Sequence, residues 1–260
     1  MIPKVIHYFW IGTKPLGEKE TRCIASWKKY CHDYEIKLWN EENYDFSTNQ
    51  YMKEALEAKK YGFVPDYARL DVIYRYGGIY LDTDVELVKP LDDLLELKGF
   101  CGFENKHKVN LGQIFAAEAG HPIIKVMRDE YEGMSFFNEN GSLNITTSPV
   151  IQTNSLHNVG LKLNGKKQIL ENGFTVFPAD YFSPYDFETE TVHKTENTYS
   201  IHHYAATWYS DIERIRHKRI VYLNTHFGVA GRLCAAIYRT FYNIKSNGIK
   251  KTVAKVVKRS

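Results

Sequence analysis

The 260-residue chain has little sulfur and few of the residues that punctuate structure: 4 Cys, 4 Met, 8 Pro and 17 Gly. Four cysteines (Cys23, Cys31, Cys101 and Cys234) are too few for a disulfide scaffold of this length, and their spacing matches no zinc motif. The scarcity of Gly and Pro excludes collagen-like and low-complexity readings. No apolar run reaches the roughly 18 residues of an ordinary membrane-spanning helix. The opening MIPKVIHYFWIG lacks the basic segment and small-residue cleavage site of a leader peptide. A cytoplasmic, reducing setting with free thiols is the expectation. Acidic residues are missing from one region only. Between Arg214 and Ser260 there are 12 Lys and Arg and no Asp or Glu, whereas the remainder holds 22 basic and 31 acidic residues. An acidic body with a basic tail says something about binding rather than about fold.

What is present suffices for a packed core, with 43% hydrophobic and 25% charged residues. Residues 4–11 are almost continuously apolar and β-rich, as suits a strand buried on both faces. The 18–31 segment reads as a helix with Ile24, Trp27 and Cys31 on one stripe, and 34–39 as a second strand. Ser47 and Gln50 form a capping-box pattern for a helix to about Tyr61. Pro65 suits a first helical position for a helix ending at Tyr76. Gly77 and Gly78 then turn the chain into the strand IYLDTDVELV. This β-α-β-α-α-β order predicts an α/β fold with a central, mostly parallel sheet flanked by helices. Strands are further expected at 99–103, 113–117, 174–178 and 198–204, and helices at 121–133 and from Thr147 or Ser148 to about Gly160.

The chemistry concentrates between Asp66 and Asp84, in DYARLDVIYRYGGIYLDTD. Asp82 and Asp84 are two apart, so an extended chain points both carboxylates to one side. They lie where an apolar strand ends, the place at which ligands gather in open α/β sheets. Two hard oxygen donors there suit Mn²⁺ or Mg²⁺ carrying phosphate oxygens; a solvated acidic turn is the plainer alternative. Asp66 and Arg69 share a helix face. They form either a helical ion pair or a contact to a diphosphate or sugar hydroxyl.

The run D-x-x-R followed by Tyr-Gly-Gly-Ile-Tyr-Leu-Asp-Thr-Asp resembles the D-x-D glycosyltransferases that include Golgi mannosyltransferases, bacterial capsular-polysaccharide transferases and the glucosyltransferase domains of large clostridial toxins. Ile2-Pro-Lys-Val-Ile-His-Tyr-Phe-Trp-Ile-Gly12 is similar to that family's first strand. His202-His203-Tyr204-Ala205-Ala206-Thr207-Trp208 is similar to its late His-His-Trp-x-x-Ser-Trp motif, departing from it at Tyr204 and Thr207. The resemblance implies a GT-A type nucleotide-sugar fold and transfer with retention at the anomeric carbon. It implies that Trp10 stacks on the base, that Asp66 and Arg69 hold ribose and sugar, and that Tyr80 and Asp82 line the nucleotide. Asp84 then binds the metal directly beside Asp82, His203 is a further metal or phosphate ligand, and Trp208 donates its indole N–H to the leaving diphosphate.

The residues fit such chemistry independently. Departure of a diphosphate from a sugar builds negative charge that a divalent ion, Arg69 and an indole N–H can stabilise. Asp82 and other carboxylates tolerate an oxocarbenium-like centre. Asn110 and Gln113, flanking Gly112, either reach the donor sugar or cap a loop. Trp10 is equally readable as a core residue, and His7 is expected as a hydrogen-bonded core histidine.

The reading is therefore a retaining, metal-dependent transferase of a hexose or N-acetylhexosamine. Its donor would be UDP- or GDP-linked and its acceptor a polysaccharide or lipid-linked glycan, as in capsule synthesis. The alternatives are a metal-dependent nucleotidyl or phosphoryl transferase and a non-catalytic carbohydrate-binding membrane adaptor. Residues 1–213 are expected as the catalytic domain and 214–260 as a basic amphipathic helical tail. In the tail Val229, Leu233, Ile237, Phe241 and Ile244 recur at helical spacing. An anionic membrane surface on the inner, cytoplasmic face is its expected partner, giving peripheral attachment; no nucleic acid is expected.

Overall fold

In the computed structural model we describe residues 1–186, 189–204 and 211–257, without the side chains of 211, 243 and 245–257. The elements follow in the order β1 (Val5–Phe9), α1 (Glu18–Tyr30), β2 (Glu35–Trp39), α2 (Gln50–Glu57), α3 (Pro65–Tyr76), β3 (Gly78–Tyr80) and β4 (Val85–Leu87). Then come β5 (Gly99–Asn105), β6 (Lys108–Val109), β7 (Phe115–Ala117), α4 (Pro122–Asp129), α5 (Ser148–Asn158), β8 (Gln168–Ile169), β9 (Phe174–Phe177) and α6 (Ala179–Phe182). The chain ends with β10 (Tyr185–Asp186), β11 (Thr191–Val192), β12 (Ser200–His202), α7 (Asp211–His226) and α8 (Gly228–Val257).

One eight-stranded sheet has the order β2-β1-β3-β7-β5-β9-β8, with β6 paired to β5. Strands β1, β2, β3, β5 and β9 run one way, and β6, β7 and β8 run against them. The sheet is thus mostly parallel, as the β-α alternation predicts. Its strands alternate between two cores. Tyr80, Phe115 and Cys101 face one, with residues of α2, α3, α4 and α5, while Ile79, Ala116 and Phe100 face the other, with residues of α1 and α6. Burial on both faces is why these strands read as continuous apolar runs instead of alternating ones.

Local chemistry sets the joints. Gly77 and Gly78 have φ of +67° and +99°, conformations that side chains resist. A Cβ on Gly78 would also sit 2.8 Å from Val5 O and 2.9 Å from His7 Nε2. His7 is the satisfied core histidine expected: Nδ1 accepts from Trp39 Nε1 at 3.1 Å and Nε2 lies 3.0 Å from Gly77 O. Burial pushes its pKa down to about 4, so it is neutral in the folded chain.

Two local expectations are corrected. The cap of α2 is Asn49, whose Oδ1 accepts from Met52 N at 3.1 Å, while Ser47 bonds Asp45. The asparagine sits one residue before the helix and satisfies an orphan N–H directly. The strand expected across 79–88 is broken. Val85 N donates to Asp82 O at 3.0 Å, closing a turn, and β4 pairs with β12 in a separate two-stranded sheet.

By contact the chain divides into two units. The first holds Met1–Tyr185 and His193–Ala205, with the sheet and both cores. The second is built on α7 and α8 with Asp186–Val192. In this hairpin Gly228 turns the chain at φ +52° and Gly231 is buried, where any Cβ would collide with Leu223 O. Helices α7 and α8 lie along the segment expected as a helical tail, with α7 beginning at Asp211, upstream of the expected boundary.

Candidate active site

Helix α3 and the loop after β3 carry the site, joined by the Gly77-Gly78 turn. The three-residue spacing of Asp66 and Arg69 puts both on the buried face of α3, and Arg69 Nη2 donates to Asp66 Oδ1 at 2.6 Å. Arg69 Nε donates to Pro65 O at 2.9 Å, fixing the guanidinium plane. Its Nη1 stands 3.5 Å from Asp82 Oδ1, and its centre lies 5.1 Å from the centroid of the Tyr80 ring. The Tyr80 hydroxyl donates to the same Asp82 oxygen at 2.8 Å. Asp82 is the exposed member, with 30% of its side chain accessible, against 5% for Arg69 and 4% for Asp66.

Burial raises the Asp66 carboxyl to about 6, although Arg69 and the Ser148 hydroxyl pull it down. Desolvation outweighs a close ion pair here because the whole pair is enclosed. The same carboxylates outweigh burial at Arg69 and hold its pKa above the ordinary range.

Beyond the turn, Asp84 meets β12. His202 Nε2 is 3.2 Å from Asp84 Oδ1. Asp82, Asp84 and His202 offer ligand atoms that all lie within 4.8 Å of one another. Burial opposes charge on His202, yet Asp84, with Asp82 and Glu104, outweighs it and keeps its pKa above the ordinary value. His202 stacks on Tyr204 at 4.1 Å between ring centroids, and the Tyr204 hydroxyl is 2.8 Å from Ser183 Oγ. The Nδ1 of His202 is buried with no hydrogen-bond partner among the described residues. Two carboxylates and an imidazole are a donor set that suits Mn²⁺ or Mg²⁺, and the excess of negative charge over Arg69 and His202 favours a divalent ion.

The structure brings His202 into this cluster, while the expected ligand His203 faces Glu86. Adjacent strand residues point to opposite faces, so His203 turns its Nε2 to Glu86 Oε2 at 2.9 Å, leaving only its backbone N–H for Asp84 O at 3.0 Å. Thr198, Ser200, His202 and Tyr204 share one parity and are all hydrogen-bonding residues. That polar alternation was the available signal for His202. Glu104 was also missed. It lies on β5, where burial raises its pKa, and it acts electrostatically on His202 and Tyr204.

Asn110 belongs to the same cluster through Gly112, whose N–H donates to Asn110 Oδ1 at 2.8 Å. A Cβ on Gly112 would collide with Asp82 Oδ2 and lie 3.1 Å from Arg69 Nη1 and from Asn110 Oδ1. Gly112→Ala is therefore expected to push the Asp82 carboxylate aside, weakening Mn²⁺ binding at least about tenfold with a loss of only about 1 kcal/mol of stability. Isothermal titration with Mn²⁺ and a thermal melt check the two halves separately. Gln113 sits deeper, fully buried, with Nε2 donating to Phe103 O at 3.2 Å and Oε1 without a partner among the described residues. Trp10 lies half-buried just past β1 and donates its indole N–H to Lys14 O at 2.7 Å. Trp208 and Thr207 lie outside the described residues.

Residues 17–100 match the family described as the glycosyltransferase sugar-binding region containing a DXD motif. That region includes Asp66, Arg69, Asp82 and Asp84. Among curated relatives, inositol phosphoceramide mannosyltransferase 3 of Schizosaccharomyces pombe is 30% identical over 49% of this chain and 37% of its own length. An uncharacterized glycosyltransferase of Acanthamoeba polyphaga mimivirus is 28% identical over 57% of this chain and 61% of its own. The chain thus spans less than two thirds of either relative. Among solved structures, PaToxG glycosyltransferase superposes with a TM-score of 0.46 at 20% identity, over 60% of this chain and 69% of that one.

Proposed function

We propose that the protein is a metal-dependent glycosyltransferase. It moves a hexose or N-acetylhexosamine from a UDP- or GDP-linked donor, with retention, to a polysaccharide or lipid-linked glycan of the capsular kind. The observation that carries the reading is the convergence of Asp82, Asp84 and His202 beside the buried Asp66–Arg69 pair, within a DXD sugar-binding region.

Bound there, Mn²⁺ or Mg²⁺ would supply Lewis acidity toward a diphosphate leaving group. The chain's own groups do the rest. Asp82, Asp84 and His202 would hold the ion, and the His203–Glu86 contact ties the residue after β12 to β4. Tyr80 fixes the Asp82 carboxylate by its hydroxyl. Arg69, locked by Asp66 and Pro65, presents a preorganised positive charge where negative charge develops. Asp66 and Asn110 orient donor hydroxyls, and Gln113, fully buried, steadies the strand behind them. Trp10 and Trp208 are assigned base stacking and an indole hydrogen bond to the diphosphate. Residues 1–213 are proposed as the catalytic domain, and 214–260 as a tail that attaches it peripherally to an anionic membrane.

The test is a thermal-shift and hydrolysis panel of uridine and guanosine diphosphates and their sugars. One matched donor is expected to raise the melting temperature by roughly 5–10 °C at about a hundred times its Kd, only with Mn²⁺ or Mg²⁺. His202→Gln is expected to lose this metal dependence and His203→Gln to keep most of it. Release of pyrophosphate rather than nucleoside diphosphate, or no shift with any member, overturns the reading.

A further inference from the structure

The hairpin of α7 and α8 has an apolar surface that its own packing leaves uncovered. Helix α8 packs through Gly231 and Ala235, both buried, with Tyr238 and Tyr242 half-buried on the same side. At about 100° per residue these four fall within one sector. Val229, Leu233, Ile237, Phe241 and Ile244 fall in another, centred roughly 150° from the first. They are 83%, 66%, 64%, 66% and 37% exposed. An α-helix that is merely docked has one apolar stripe; α8 has two, and only one is used within the hairpin.

Charge indicates what covers the second. Arg232 is exposed on α8, and Lys218 and Arg219 are exposed on α7. From Arg214 to Ser260 the sequence has 12 Lys and Arg and no acidic residue. A protein partner would have to match both the apolar stripe and this excess of positive charge, whereas an anionic bilayer supplies the apolar depth and the counter-charge together. Among the described residues no helix is long and apolar enough to cross a membrane.

We propose that α8 inserts the Val229–Leu233–Ile237–Phe241 face into the acyl boundary of an anionic phospholipid surface, with the flanking arginines and lysines at headgroup level. The proposal deepens the peripheral attachment suggested above, but it is independent of the transfer chemistry. Vesicle partition can be read without any donor, so the two readings can fail separately.

The chain offers its own probe. Cys23, Cys31 and Cys101 are buried, and Cys234, beside Leu233, is exposed. A polarity-sensitive fluorophore on Cys234 of the full chain is titrated with vesicles of phosphatidylcholine alone and with about a third phosphatidylserine; flotation of unlabelled protein runs in parallel. Expected are a blue shift and flotation with the anionic vesicles only. Leu233→Gln/Ile237→Gln/Phe241→Gln is expected to lower partition at least about a hundredfold. Helical circular dichroism and donor hydrolysis should be unchanged. Equal partition of parent and triple variant, or binding that salt alone abolishes with no blue shift, overturns insertion. A dimer in light scattering that the triple variant dissolves, without vesicle binding, shows that a second copy covers the face and overturns it too.

Discussion

Asp84→Asn is expected to lower donor turnover by about 10³-fold while the melting temperature of the metal-free chain moves by only a few degrees. The charge explains the split. Asp84 holds His202 at 3.2 Å and shares a donor cluster with Asp82. An amide keeps the hydrogen bond to the imidazole but removes the anion that binds a divalent ion. Loss of one electrostatic stabiliser of a developing charge commonly costs two to three orders of magnitude, and loss of a ligand compounds it. Asp84→Ala should turn over as poorly and melt lower, because His202 then loses its hydrogen-bond acceptor as well as the anion. Initial rates over a range of Mn²⁺ check the point: turnover of Asp84→Asn within tenfold of the parent at any concentration would remove the metal site from the mechanism.

Arg69→Met is expected to lose both activity and about 3–5 kcal/mol of stability, the usual cost of breaking an enclosed ion pair from one side. It leaves Asp66, already raised to about 6 by burial, without its cation, so its folded pKa climbs further. A carboxyl raised above its unfolded value near 3.8 holds its proton in the native state while the unfolded chain has released it. Stability is therefore present at low pH and lost as pH rises through the folded pKa. The deficit of the variant against the parent should be small near pH 4 and largest at pH 8, as read by denaturant melts at each pH. Asp66→Leu/Arg69→Met should recover much of the stability and none of the activity. A deficit that is flat with pH would mean that lost packing of the guanidinium, not the stranded carboxylate, causes the damage.

Much of the fold was legible because its signals are local. The apolar run of β1, the helix stripe of Ile24 and Trp27, Pro65 at the start of α3 and the paired glycines after it each act within a few residues. The break after Leu81 was not legible, since β4 leaves the main sheet only because β12, more than a hundred residues later, offers it a partner. The same distance hid part of the site. Asp66 and Arg69 share the buried face of α3 as their spacing suggests, whereas Asp82 and Asp84 come together through a turn and not along an extended strand. Choosing between His202 and His203 needed the parity of β12 relative to β4, and both faces of that strand are buried. Glu104 stands on a strand with no motif around it, and its importance arises only from what β12 brings alongside.

That division of labour has a mechanical side. Asp82 is anchored to the loop joining β6 and β7 of the main sheet, its N–H donating to Gly112 O at 3.0 Å, whereas His202 rides on the small ribbon of β4 and β12. An ion gripped by both would fasten ribbon to sheet like a rivet, with the Asp84 turn as the short strap between them. Folding and chemistry would then draw on a single joint, and whatever loosens it would cost the molecule rigidity and reactivity together.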